Sequence, residues 1–152
     1  MDNLDYLEEY DKLKTKVLKY ILYKKRTEKE IMQKFSFCIE EEILEDIIDE
    51  LKEAGYIDDN NYIERAISEF MALKNLSIKE IKYKLFAKGL NSDIIDEYIS
   101  NHNDELNDYE IQSIKNIFYK KQTSRDEEDI KQMLLKKGYK LENIKEALSE
   151  VE

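Results

Sequence analysis

The chain of 152 residues is poor in the residues that bend, cross-link or catalyse. It has no proline and no tryptophan, only three glycines, one cysteine and one histidine. The single cysteine excludes an internal disulfide framework. No apolar run approaches the ~18 residues that cross a bilayer, and the acidic start, MDNLDYLEEYD, lacks the apolar region of a secretion signal. We therefore expect a soluble cytoplasmic protein that does not enter a membrane.

The residues that could carry chemistry are also few. The one histidine, His102, stands in the polar segment SNHNDELND, where we expect a surface loop, so neither a histidine-based triad nor a histidine-rich metal site is available. Cys38 lies between Phe37 and Ile39 and is expected to be a small core residue. Asp58-Asp-Asn-Asn61 lacks the ligand spacing and central glycine of a calcium loop. We predict no catalytic, cofactor-binding or metal-binding residues, and hence no enzyme.

The charge is strongly acidic but uneven. There are 35 acidic and 25 basic residues, a net charge of −10, which argues against a general nucleic-acid binder. Residues 12–26 carry seven basic residues and no acidic one, whereas residues 40–53 carry eight acidic residues and one lysine. Such asymmetry is typical of a surface oriented toward a partner. Alternating solvated helix faces would explain it equally simply.

The apolar residues recur with the period of a helix almost throughout. Residues 40–53 place Ile43, Leu44, Ile47, Ile48 and Leu51 on one stripe. No sustained alternation predicts a strand. The pattern predicts helices over 5–24, 28–36, 40–54, 60–73, 78–87, 92–101, 108–120, 127–137 and 141–150. Capping boxes are expected at Thr27–Glu30 and Ser77–Glu80, with looser versions at Asn107–Glu110 and Asp126–Asp129.

An internal repeat organises these helices. The segments TEKEIMQKF, SIKEIKYKL and DEEDIKQML begin at Thr27, Ser77 and Asp126, and the isoleucines that match in register, residues 31, 81 and 130, are 50 and 49 residues apart. The sequence predicts an all-α chain of three tandem three-helix repeats, 1–59, 60–104 and 105–152, in an elongated, curved, right-handed helical array. A compact all-α bundle that keeps the repeat only as an evolutionary trace is the alternative.

The order of these elements resembles a known family. Across roughly residues 17–150, the segments LKEAGYIDDNNYIERAI, KEIKYKLFAKGLNSDIIDEYI and KQMLLKKGYKLENIKEAL are similar to the RecX family of recombination regulators. The most specific part is Leu51–Asp59 followed by Tyr62, together with the Lys-Gly-apolar ends at 88–90 and 137–139. The segment SEFMALKNLS departs from the family in lacking glycine, proline and a basic surplus, and FSFCIE replaces the first Lys-Gly-apolar end.

The resemblance implies a partner. Members of the family bind the RecA filament and modulate, usually inhibit, the recombinase, ATPase and coprotease activities of RecA in DNA repair and the SOS response. We expect this chain to do the same as a monomer, with weak contact to DNA. The alternative is a helical protein-interaction adaptor or a weak, helix-turn-helix-like DNA-binding regulator. Sequence-specific binding through residues 40–53 is disfavoured, because phosphates would repel that acidic helix.

The partner-binding residues are expected among the basic positions that recur before or within equivalent helices. Solubilising lysines on exposed turns would give the same pattern. The predicted set comprises Lys24, Lys25, Arg26, Arg65, Lys79, Lys82, Lys84, Lys88, Lys120, Lys121 and Arg125.

The three glycines are interpreted as joints between helices. Each would occupy the left-handed position just past a helix end, where glycine avoids a steric penalty. Tyr56 or Ile57 would then fold back toward Leu51, and Asp58, Asp59 or Asn61 would cap the next helix. The predicted joint residues are Gly55, Tyr56, Asp58, Asp59, Gly89 and Gly138.

Overall fold

The computed structural model describes residues 3–73 and 75–151, and their regular structure is helical throughout. The helices are α1 (Asn3–Tyr23), α2 (Glu28–Phe35), α3 (Glu41–Glu53), α4 (Asp59–Leu73), α5 (Ile78–Ala87), α6 (Ser92–Asn101), α7 (Asn103–Lys121), α8 (Glu127–Lys137) and α9 (Leu141–Val151). The all-α prediction is confirmed. None of these helices is long and apolar enough to span a membrane.

The helix caps account for the helix starts. Thr27 and Glu30 form a reciprocal capping box, in which Glu30 N–H donates to the threonine hydroxyl and Thr27 N–H donates to the glutamate, both at 3.1 Å. Ser77 and Glu80 repeat this arrangement at 3.0 Å in both directions. Asp126 accepts from the N–H of Asp129 at 2.9 Å and so caps α8.

The predicted cap at Asn107–Glu110 is wrong, because the helix begins before it. α7 begins at Asn103, not near residue 108, so Asn107 lies inside the helix. The helix extends because Leu106 is buried and its N–H donates to the carbonyl of His102 at 2.9 Å. The burial of Leu106 thus stabilises a helix here, although most residues of the segment are polar. His102 is half-buried at the junction of α6 and α7, so it is not a surface loop residue.

The described residues form two compact units. One contains those of Met1–Tyr62 and Lys88–Leu90, and the other contains those of Ile63–Ala87 and Asn91–Glu152. The division of the chain into three repeats remains a prediction.

The core of the first unit lies between α1, α2 and α3. The apolar stripe of α3 is buried against Val17 and Ile21 of α1 and Ile31 and Phe35 of α2. Cys38 is exposed, so its prediction as a core residue is wrong. The turn after α2 buries its neighbour Ile39 instead, because only one of these adjacent side chains can face the core.

One cluster of buried residues in the second unit lies at the end of the chain. α7, α8 and α9 bury seven residues together: Ile114, Ile130, Leu134, Tyr139, Ile144, Ala147 and Leu148. Ile63, Ile67, Ile81, Leu85 and Ile95 are buried on the preceding helices of this unit. The isoleucines that define the repeat, 31, 81 and 130, are all buried, so the repeating pattern corresponds to repeating core positions.

Candidate functional site

The first group of predicted basic residues follows the end of α1. Lys24 and Lys25 are exposed, and Lys25 Nζ donates to Asn61 Oδ1 at 2.9 Å. Arg26 differs from them because it is half-buried, with its guanidinium carbon 4.3 Å from the centre of the Tyr20 ring. A planar guanidinium on an aromatic face is held by a cation–π interaction. The two lysines are therefore available to a partner, whereas Arg26 is used within the first unit.

The second group lies on α5 and is divided by the geometry of the helix. Lys79 and Lys82 lie on one flank together with the exposed aromatic rings of Tyr83 and Phe86. Because successive residues turn by about 100°, Lys84 points to the opposite flank of the helix. Lys82 Nζ pairs with Asp96 Oδ1 of α6 at 2.5 Å. Lys79 and Lys82 thus lie on one flank of α5, and Lys84 lies on the other.

Lys88 lies just past the end of α5, among the residues of the first unit. Its side chain is exposed, while its backbone carbonyl accepts a hydrogen bond from the Thr27 hydroxyl at 2.6 Å. The backbone is therefore fixed, and the charged end of the side chain is accessible to a partner.

The remaining predicted basic residues lie in the second unit. Arg65 is exposed on α4, and Lys120 and Lys121 are exposed at the end of α7. Arg125 lies in the turn before α8, where Nη1 approaches Met133 Sδ at 3.6 Å. It borders an open cavity of about 650 Å³ that is also lined by Asp129, Gln132, Met133, Leu135 and Lys136. That cavity has mixed charge, because Asp129 offsets part of the basic lining.

The first joint, after α3, ends one helix and begins another. Gly55 has φ +84°, in the left-handed region, and Tyr56 N–H donates to the carbonyl of Leu51 at 2.9 Å. Ile57 folds into the core, whereas Tyr56 is 47% exposed. Of the acidic pair, Asp58 caps α4 by accepting from Asn61 N–H at 3.0 Å. The structure therefore assigns the buried position to Ile57 and the cap to Asp58, which was one of three candidates.

Asp59 has a different partner from Asp58. Its Oδ1 accepts the N–H of Glu28, the first residue of α2, at 3.2 Å. Burial raises the pKa of the Asp59 carboxyl, and the Glu28 N–H opposes that rise. The carboxylate therefore joins the start of α4 to the start of α2.

The other two joints share a close approach that Gly55 lacks. Gly89 has φ +86° and lies against Lys29, where an added Cβ would be 2.6 Å from the lysine Cβ. Gly138 has φ +98° and lies against Lys79, at 3.0 Å from its Cβ. Nothing lies within 4 Å of the corresponding point at Gly55. The left-handed conformation thus favours glycine at all three positions, and an added Cβ would overlap a neighbour at Gly89 and lie in tight contact at Gly138.

The comparisons with known proteins identify the chain. It is 32% identical over 165 residues to the regulatory protein RecX of Clostridium acetobutylicum, an alignment that covers 98% of this chain and 76% of the relative. The chain belongs to the RecX family of regulatory proteins. No family model matches.

Other RecX proteins agree with this assignment. The regulatory protein RecX of Staphylococcus carnosus is 28% identical over 157 residues, and this chain covers 59% of its length. The crystal structure of RecX from Lactobacillus salivarius superposes with a TM-score of 0.80 over 95% of this chain and 97% of that one, at 26% identity. The chain therefore shares the RecX fold along nearly its whole length, while some relatives are considerably longer.

One residue important to this RecX fold, Glu110, has a different role from the one predicted, since the sequence placed it in a cap with Asn107. Glu110 of α7 is completely buried, and its carboxylate accepts from Ile78 N–H and Lys140 N–H, each at 2.8 Å. Asn143 Nδ2 also donates to it, at 3.1 Å. A signal was present, because Glu110 falls on the apolar stripe of α7, between Leu106 and Ile114. A carboxylate at a stripe position needs buried donors.

His102 and Cys38, the one histidine and the one cysteine of the sequence, are held in local contacts. The ring of His102 stacks on Tyr98 at 4.0 Å, and Nδ1 lies 2.9 Å from the Tyr98 carbonyl. The thiol of Cys38 donates weakly to the carbonyl of Phe35 at 3.6 Å. Across residues 3–73 and 75–151, no group of three histidine, cysteine or acidic residues is arranged to hold a metal ion.

Proposed function

We propose that this chain binds the filament that RecA forms on DNA and lowers the recombinase, ATPase and coprotease activities of RecA, in DNA repair and the SOS response. Membership of the RecX family carries the proposal, because the resemblance of the sequence to that family implies a RecA-directed regulator. The proposal includes a cytoplasmic location.

The distribution of charge supports binding through a basic surface. Although the chain has a net charge of −10, α5 exposes Lys79, Lys82 and Lys84, and Lys88 follows at its end. DNA phosphates within a filament attract such groups and repel the acidic outer face of α3. The basic residues of α5 are therefore better suited to contact the filament than the acidic face of α3.

We further propose that the regulation is exerted by binding alone, without a cofactor or catalytic step. The ring of His102 and the thiol of Cys38 are engaged by neighbouring groups of their own segments, which supports this view.

We also propose three tandem repeats as the framework of the binding surface. Two hydrogen bonds support them, since Thr27 donates to Lys88 and Ser77 donates to Lys137 with nearly the same spacing along the chain. Repeated contacts of this kind fix each three-helix unit to its successor and make a series of equivalent surfaces.

The first test is the hydrolysis of ATP by RecA on single-stranded DNA, measured with increasing amounts of this protein. We expect inhibition at amounts well below one copy per RecA subunit. The amount of filament on labelled DNA is measured in the same samples, to show whether filament loss causes the inhibition. Binding to DNA in the absence of RecA, without any effect on hydrolysis, would favour the DNA-binding alternative. An unchanged rate together with unchanged filament assembly would refute the proposal.

The second test reverses the charge at basic positions on both flanks of α5 and just past its end. The triple variant Lys82→Glu, Lys84→Glu, Lys88→Glu should bind labelled RecA filaments at least tenfold more weakly, while helicity is unchanged. Lys12→Glu, Lys16→Glu, Lys19→Glu is a matched control, because it makes the same charge change at exposed positions on α1. Equal binding by the two triple variants would contradict the assigned surface.

A further inference from the structure

The flank of α5 that faces α6 forms an open apolar groove of about 390 Å³. Its lining comprises Lys79, Lys82, Tyr83, Phe86, Ser92 and Ile95. Tyr83 is 66% exposed and Phe86 is 62% exposed, although both are large and apolar. Adjacent exposed aromatic rings with a charged rim are typical of a protein-interaction site.

The first turns of α1 have the complementary composition. Residues 3–9 are all exposed, although they belong to a regular helix, and Leu7 is 56% exposed. On the helical period, Leu4 and Leu7 share one face with Glu8 and Asp11. The first basic residue is Lys12, so this end of the helix is uniformly acidic. It is an amphipathic helical end whose apolar face is exposed to solvent.

We propose that the first turns of α1 of one copy of this protein dock in the α5–α6 groove of a second copy. Leu7 would cover the rings of Tyr83 and Phe86, and Glu8 would lie near Lys79. This is the helix-in-groove mode of recognition, in which apolar anchors at i and i+3 enter a groove and charges fix the orientation. Lys79 suits the charged contact better than Lys82, because Lys82 is already paired with Asp96.

Such an interface joins two different surfaces of the same chain. Because each copy would carry one acidic helix end and one groove, association is head to tail, and further copies can be added. The proposal goes beyond the function proposed above, since it requires neither RecA nor DNA. It also differs from the monomer that the sequence led us to expect.

The experiment is sedimentation velocity of the full chain alone over a wide range of protein concentration. We expect the average mass to rise with concentration. Leu7→Glu should abolish the rise, because it places a charge on the apolar face, and it should fold normally because Leu7 is exposed. A single mass corresponding to one chain at every concentration would overturn the proposal.

Charge exchange then tests the pairing itself. Glu8→Lys and Lys79→Glu should each weaken association roughly tenfold, and an equimolar mixture of the two variants should recover it, because every contact in the mixed assembly can be made between opposite charges. Glu142→Lys makes the same charge change as Glu8→Lys at an exposed position of α9 and should leave association unchanged. Equal weakening by Glu142→Lys, or failure of the mixture to recover, would contradict the assigned contact.

A covalent trap gives an independent measurement. In a Cys38→Ser background, a chain with Leu7→Cys is mixed with a chain with Tyr83→Cys under mild oxidation. We expect a dimer of the two different chains on a non-reducing gel, because a disulfide requires close approach of the two Cβ atoms. If only dimers of identical chains form, the groove does not receive the α1 end.

Discussion

The side-chain hydroxyl of Thr27 donates a hydrogen bond to the backbone carbonyl of Lys88, with 2.6 Å between the two oxygens. The same hydroxyl accepts the N–H of Glu30, so one buried residue caps its own helix and holds a backbone carbonyl 61 residues away. Ser77 repeats both roles with Glu80 and Lys137. Because the same two hydrogen bonds recur at Ser77, a hydroxyl in this position is a repeated structural feature of the fold.

Replacement of Thr27 by valine should lower the free energy of unfolding by about 2 kcal/mol. Valine keeps the shape of threonine but loses the helix cap and leaves the Lys88 carbonyl without its donor. Thr27→Ser keeps both hydrogen bonds and should remain within about 1 kcal/mol of the natural protein. Urea unfolding followed by circular dichroism measures both. A valine variant as stable as the natural protein would show that the hydroxyl does not contribute to stability.

Gly89→Ala should destabilise the protein more than Gly55→Ala. Both glycines have nearly the same φ, +86° and +84°, so the conformational penalty of about 1–2 kcal/mol is common to both variants. Only at Gly89 would the new Cβ meet another side chain, Lys29, at 2.6 Å. We expect that overlap to cost a further 1–3 kcal/mol or so, read from urea unfolding. Indistinguishable midpoints for the two variants would mean that Lys29 moves away without cost.

Much of this fold can be predicted from local sequence patterns, namely apolar periodicity and capping boxes. The isoleucines at positions 31, 81 and 130 predict buried helix faces, and the capping boxes at Thr27 and Ser77 predict helix starts, because both depend on residues three or four apart. The basic surface is less predictable, since the helical turn of α5 separates Lys84 from Lys79. Between α2 and α3, either Cys38 or Ile39 could be buried, and the local pattern does not predict that Ile39 is the buried one.

Contacts between distant segments lie beyond such patterns. The partner of the Thr27 hydroxyl is a backbone carbonyl, which every residue has, so no residue type marks it. Asp58 and Asp59 are alike in sequence, yet one caps its own helix and the other accepts from Glu28. Only the packing of the helices decides between them.

The Asp59 carboxyl should make stability depend on pH in a direction opposite to that of most paired carboxylates. Burial raises its pKa in the folded state above the ordinary value of 3.8. The folded state therefore binds this proton more readily than the unfolded state, and the contribution of Asp59 to stability is largest below pH 3.8 and falls as pH rises through the folded-state pKa. We compare the natural protein with Asp59→Asn, which keeps an acceptor for Glu28.

The quantity to measure is the free energy of unfolding of the natural protein minus that of Asp59→Asn, from urea unfolding at a series of pH values. We expect this difference to decrease from acidic toward neutral pH and then to become constant. An increase with pH would mean that the hydrogen bond from Glu28 outweighs burial, and the direction assigned to the pKa would be wrong.

The buried carboxylate of Glu110 should be the most sensitive polar group of the second unit. Its Oε2 accepts from Ile78, the first residue of α5, and its Oε1 accepts from Lys140, which directly precedes α9. Each helix start carries unsatisfied N–H groups and a partial positive charge, so one carboxylate stabilises two helices at once. Glu110→Ala would leave at least two buried donors unpaired, at about 1–3 kcal/mol each, and we expect a loss of about 3 kcal/mol or more.

Glu110→Gln separates the charge and acceptor effects from the loss of volume. An amide has one acceptor oxygen, and its NH₂ group would face the second N–H, so we expect roughly half the loss seen with alanine. Glu142→Gln, at an exposed position of α9, should change stability by less than about 0.5 kcal/mol. Hydrogen exchange supplies the local measurement, since the amides of Ile78 and Lys140 should lose protection in both Glu110 variants before the rest of the chain does. If glutamine matches the natural protein in urea and in exchange, the two helix starts do not depend on the carboxylate, and the packing of α7 on α9 alone holds them.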